Sequence, residues 1–150
     1  MEPDAANASP YAALYRELDD DATAAYLARI RATRPARPDR EALNALILAH
    51  QLAVPFENLD IFAGRPVSLA VGDIADKMIR RRRGGYCFEL NAGFYSLLRA
   101  LGYDAFPIAG GVVLGEGEPP PPHHRATAVR LDGCLLYCDV GFGGPMPGAA

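Results

Sequence analysis

The chain has 150 residues, a formal charge of −3 from 15 basic and 18 acidic residues, and half of its residues hydrophobic. That length suits one domain with a buried core, and the charge balance offers neither the broad basic surface nucleic acid requires nor a cationic helix for lipid. The expected partner is a small molecule, with no nucleic acid and no membrane.

The N-terminus, "MEPDAANASP", has acids where a signal peptide needs basic residues, and no later stretch spans a bilayer, so a cytoplasmic location is expected. Three cysteines, Cys87, Cys134 and Cys138, are too few and too odd for a disulfide framework and fit reduced thiols. A first helix is expected from Asp20 to Arg31. A second follows an Asp39 cap, with Leu43, Leu46, Ile47 and His50 at helical spacing, and stops at Pro55. His50 lies on its apolar side and is expected to satisfy a buried hydrogen bond. A short extended piece is expected at "ENLDIFAGRPV". Asp73 then caps a helix carrying Ile74, Met78 and Ile79, which runs into Arg80 to Arg83 and breaks at Gly84-Gly85.

From Cys87 a further helix carries Leu90, Phe94, Leu97, Leu98 and Leu101 on one side and ends at Gly102. Extended segments follow at "AFPIAGGVVLG", "RATAVRL" and "CLLYCDVGF", the last two joined by an Asp132-Gly133 turn. Between the first two lies a proline-rich loop, "GEGEPPPPHH", Gly115 to His124.

The chemistry centres on Cys87. A thiol in the first turn of a helix meets unpaired N–H groups and the positive end of the dipole, which favour the thiolate and can also hold an oxyanion. Gly84 and Gly85 permit a close approach of substrate to backbone. Packing alone would place a cysteine as readily elsewhere, so a base decides the matter. A two-residue turn at Asp132-Gly133 makes cross-strand partners sum to 265, pairing Ala126 with Asp139 and His124 with Gly141. His124 then shares a face with Asp139 as a diagonal neighbour, at ~7–8 Å between backbones, while His123 points away. Cys87, His124 and Asp139 are thus the candidate nucleophile, base and orienting carboxylate. A metal site from His123, Cys134 and Cys138 is disfavoured, because two strand residues four apart lie ~13 Å from each other. Cys134 and Cys138 are expected to pack in the interior. No metal is expected. Arg83 is positioned to brace the cysteine loop through an acid such as Glu57.

Four stretches together, "VPFENLDIF" (Val54 to Phe62), "RRRGGYCFELN" (Arg81 to Asn91), the His124 segment and "DVGFGG" (Asp139 to Gly144), resemble the arylamine N-acetyltransferases. The order and spacing of Cys87, His124 and Asp139 are similar to that family's. The resemblance implies an α+β fold. A helical bundle, residues 1–103, carries Cys87, and an incomplete β-barrel, residues 104–150, carries His124 and Asp139 in a cysteine-protease-like arrangement, with the family's C-terminal lid domain absent. It implies acetyl-coenzyme A as co-substrate, an acetyl-Cys87 thioester, and an arylamine, arylhydrazine or hydrazide acceptor in a ping-pong cycle. Phe56 would be an aromatic wall of the acceptor pocket, Glu57 and Arg83 part of a structural ion-pair network, and Gly141, Phe142 and Gly143 would lie near coenzyme A. The chain reads as an N-terminal portion of such an enzyme. Alternatives are a thiol hydrolase, an amide-forming release enzyme of polyketide assembly, and a catalytically inactive fragment. His123 stands where the family often has threonine.

Overall fold

A computed structural model describes residues 15–113, 118 and 120–144. Five helices precede a three-stranded antiparallel sheet, an α+β arrangement. Helix α1 spans Asp20–Ile30 and α2 spans Arg40–Ala53. Each starts where an aspartate side chain takes an otherwise orphaned N–H: Asp19 accepts from Ala22 at 2.8 Å and Asp39 from Ala42 at 2.9 Å. The segment expected to be extended holds a one-turn helix, α3, Leu59–Phe62. Helix α4, Val71–Ala75, begins two residues before Asp73, which does not cap it; the Asp73 carboxylate accepts instead from the Ser68 hydroxyl at 2.5 Å. It continues as a π-helical turn, Asp76–Arg80.

Helix α5, Cys87–Ala100, begins where the glycine loop ends. It is buried on nearly every side from Glu89 to Leu98, not along a single stripe, because helices α1, α2 and α4 cover one flank and the sheet covers the other. That is why Asn91, Gly93 and Ser96 share the interior with Leu90, Phe94 and Leu97. Gly93 is needed there: a Cβ would lie 3.0 Å from Met78 Cε and 3.2 Å from Ile74 Cγ2.

The sheet order is β1 (Asp104–Gly110), β2 (His124–Leu131), β3 (Cys134–Cys138). Strand β1 stops before Gly111, Val112 and Val113 of the expected segment; Leu114 and Gly115, which complete it, and Glu116, Gly117 and Pro119 of the proline-rich loop lie outside the described residues. The β2–β3 turn has φ of 50° at Asp132 and 76° at Gly133, the left-handed pair that matches strand twist. Pairs Leu131 with Cys134, Val129 with Leu136 and Thr127 with Cys138 follow the register expected from that turn. Beyond them the ladder ends, so the pairings of Ala126 with Asp139 and His124 with Gly141 do not form. The reason is local: Gly141 N–H turns back to Asp139 Oδ1 at 2.9 Å, and Val140 N–H goes to Asn91 Oδ1 at 3.1 Å.

Candidate active site

Cys87 occupies the first position of α5, with its sulfur approached by the N–H groups of Phe88 and of Arg125 on β2. Burial pushes this thiol up from its ordinary value and outweighs those N–H groups, with the Asp139 carboxylate adding in the same direction. The lowered thiol pKa expected from the helix terminus is therefore corrected. The dipole acts within the first turn, but the half-buried sulfur loses more from desolvation than it gains.

His124 begins β2 and is buried, with Nε2 at 2.6 Å from Asp139 Oδ2. Asp139 is 1% exposed, yet none of its acceptor capacity is wasted. Oδ2 also takes the Tyr137 hydroxyl at 2.9 Å, while Oδ1 takes Asn91 Nδ2 and Gly141 N–H, both at 2.9 Å. Burial and this carboxylate push the Tyr137 phenol up, so it remains a donor. Asn91 Nδ2 donates further to Arg125 O at 2.6 Å. The Arg125 guanidinium lies over the rings of Tyr15 and Tyr95, at 5.7 and 6.0 Å.

The loop before Cys87 is held on two sides. Glu57 N–H donates to Gly85 O at 2.9 Å, forming a parallel bridge between Phe56 and Gly85. A Cβ on Gly84 would lie 1.8 Å from Pro55 O, and one on Gly85 2.9 Å from Glu89. Both glycines thus serve the packing of the loop against its own chain. Beneath it, Arg83 reaches Glu57 at 2.8 Å and Asp60 at 2.9 Å, and Lys77 reaches Glu89 at 2.7 Å and Asp60 at 3.0 Å. Hydrogen bonds from Arg83 and Lys77 hold the Asp60 carboxyl down at about 2. Glu89 Oε2 accepts Tyr86 N–H at 3.1 Å, which ties this network to the start of α5. The Arg83–Glu57 contact was legible; Lys77, Asp60 and Glu89 were not singled out, although Glu89 stands three residues after the helix cap, where a carboxylate commonly returns to it.

Phe56 and Phe142 are 40% and 38% exposed, and Phe142 lies edge-on to the His124 ring with centroids 5.5 Å apart. Gly143, at φ 78°, brings its backbone against the Phe56 ring, where a Cβ would sit 2.9 Å from ring carbons. Gly141 packs on the first turn of α5, with Asn91, Leu90 and Cys87 within 3.0–3.1 Å of where its Cβ would be. His123 is exposed and held locally by Pro121 O at 2.9 Å, away from the cysteine. Cys138 is buried, whereas Cys134, expected to pack inside, is exposed at the turn. Among the described residues no group of three or more His, Cys, Asp or Glu gathers as a metal site.

Residues 39–149 match a family model described as N-acetyltransferase. The arylamine N-acetyltransferase / N-hydroxyarylamine O-acetyltransferase of Salmonella typhimurium is 40% identical over 121 residues, spanning 80% of this chain and 43% of that protein. The solved S. typhimurium arylamine N-acetyltransferase superposes with a TM-score of 0.83 at 38% identity, covering 88% of this chain and 48% of that one. The Mycobacterium marinum arylamine N-acetyltransferase in complex with CoA gives a TM-score of 0.77 at 40% identity, over 85% and 49%. The chain spans about half the length of the relatives it matches.

Proposed function

Since the chain belongs to the arylamine N-acetyltransferase family, we propose that it transfers an acetyl group from acetyl-coenzyme A to an aromatic amine, hydrazine or hydrazide through Cys87. The observation that carries this reading is the buried His124–Asp139 pair at 2.6 Å, beside the helix turn that bears the thiol. Because burial raises the Cys87 thiol, activation falls to His124 as base rather than to the helix terminus alone. Asp139 holds Nε2–H, which leaves Nδ1 as the nitrogen able to take the thiol proton.

Cys87 sulfur attacks the acetyl carbonyl; its new C–S bond replaces the one to coenzyme A, whose sulfur leaves with the proton held by His124. The acceptor nitrogen then attacks the Cys87 thioester, losing its proton to His124 as the Cys87 C–S bond breaks. Phe56 and Phe142, both half exposed, suit an aromatic acceptor face. The Gly141 to Gly143 segment is assigned to the coenzyme A side, since its backbone borders both Cys87 and Phe56. Residues 1–103 form the helical unit in this reading, and residues 104–150 the opening strands of a β-barrel. A cytoplasmic setting fits the three free thiols.

Intact mass after brief exposure to acetyl-coenzyme A, beside a Cys87→Ala control, tests this. A gain of one acetyl group that is absent from the control is expected. Because the chain spans about half of its relatives, the second reading is a chain that keeps the site without the turnover, and no gain in folded protein assigns it there.

A further inference from the structure

We propose that Asn91 is a positioning residue that sets the geometry between Cys87 and the His124–Asp139 pair, an inference that rests on the reading of that triad given above. Asn91 is completely buried and sits one helical turn beyond Cys87, so its side chain is fixed to the same rigid element as the thiol. From there its amide reaches the two residues that follow the other members and one of those members itself. Nδ2 donates to Arg125 O at 2.6 Å and to Asp139 Oδ1 at 2.9 Å, and Oδ1 accepts Val140 N–H at 3.1 Å. Both amide hydrogens are used.

The amide orientation is set by these partners. Turned over, it would put an oxygen against two acceptors and an NH2 against the Val140 N–H. Two consequences follow. Arg125 is gripped at its carbonyl by Asn91 while its N–H points at the Cys87 sulfur, so the residue next to His124 is pinned between two positions of α5. Asn91 and Gly141 N–H also take Oδ1 of Asp139, which turns Oδ2 to His124. A side chain that only filled its cavity would need neither link. The groups that titrate or carry charge around this amide are Cys87, His124, Asp139 and Tyr137, with Arg125 turned toward Tyr15 and Tyr95.

The test is the pH profile of iodoacetamide alkylation, read cysteine by cysteine by mass spectrometry, with thermal unfolding alongside. Assisted by His124, Cys87 in the unsubstituted chain should be alkylated at pH 7 well ahead of the exposed Cys134. In Asn91→Ala the rate at pH 7 should fall about tenfold or more while the rate at pH 10 holds within about twofold, because the thiolate formed by bulk base needs no aligned imidazole. An unchanged Asn91→Ala profile, beside a Cys87 that outpaces Cys134 at pH 7 in the unsubstituted chain, overturns the role of Asn91 and leaves the triad standing. Alkylation of Cys87 at pH 7 no faster than that of exposed Cys134 in the unsubstituted chain overturns the triad and this inference with it. Should Asn91→Ala not fold, Asn91→Ser is read the same way; loss of fold in both overturns the proposal, since the amide would then be holding the fold and not the site.

Discussion

His50 shows how far a single residue departs from what its position suggests. It is fully buried on α2, as the spacing of Leu43, Leu46 and Ile47 implies, but neither ring nitrogen has a hydrogen-bond partner among the described residues. It lies instead between the rings of Tyr26 and Phe94, with centroids 5.9 and 5.4 Å away. Helical periodicity reports which face is buried; it carries no information on what a buried imidazole will meet, so the expected hydrogen bond was not legible. Burial first, and Arg29 second, push His50 down from 6.5 to about 3. The unfolded chain therefore binds a proton below pH 6.5 that the folded chain refuses, and stability falls as pH drops from 6.5 toward 3 while nothing changes above 6.5. Between pH 7.5 and pH 5 this amounts to about 2 kcal/mol. His50→Leu, similar in volume, should remove that difference in urea unfolding at the two pH values. An equal loss in both proteins would show that the acid sensitivity lies elsewhere.

At the scale of elements, legibility followed the side chains that make caps. Asp19 and Asp39 mark α1 and α2 because each bonds an N–H of the first turn. Asn58 and Ala70 make no side-chain cap, so α3 had no local signal and the start of α4 was expected at Asp73, two residues late. The glycine loop before α5 was visible as a break, but its purpose was not, because the partner strand segment at Pro55–Glu57 lies about thirty residues earlier in the chain. With 1.8 Å between a Gly84 Cβ and Pro55 O, and the Pro55 carbonyl carbon at 2.9 Å, Gly84→Ala leaves no room for relaxation except by moving the loop. It should cost roughly 2 kcal/mol or more in thermal or urea unfolding. Gly72→Ala, in α4 with nothing within 4 Å of its Cβ, should gain up to about 1 kcal/mol. A Gly84→Ala protein as stable as the unsubstituted chain would mean that the loop is not held against Pro55 in solution.

For the whole molecule, the meeting of α5 with the sheet was legible in part because hairpin parity is a strong constraint. Asp132-Gly133 fixed the β2–β3 register, and parity put His124 and Asp139 on one face even though the ladder ends before reaching them. What parity cannot supply is the occupant of the outer edge. Strand β3 pairs with β2 alone among the described residues, and its outward residues Leu135 and Tyr137 are 65% and 49% exposed. Tyr137 is committed through its hydroxyl to Asp139, whereas Leu135 contributes apolar surface beside a row of unpaired backbone groups. Such an edge is a template for another chain, and a charge placed on it is the usual protection. Leu135→Lys should therefore lower the self-association of the 150-residue chain in sedimentation velocity at high protein concentration. Because the side chain is mostly in water, unfolding stability should stay within about 0.5 kcal/mol. The same substitution leaves Asp139, His124 and Asn91 untouched, so the proposed acetylation of Cys87 should be unaffected by it. Equal association in the two proteins would move the sticky surface to the exposed Leu52, Leu59 and Phe62 on the helical side.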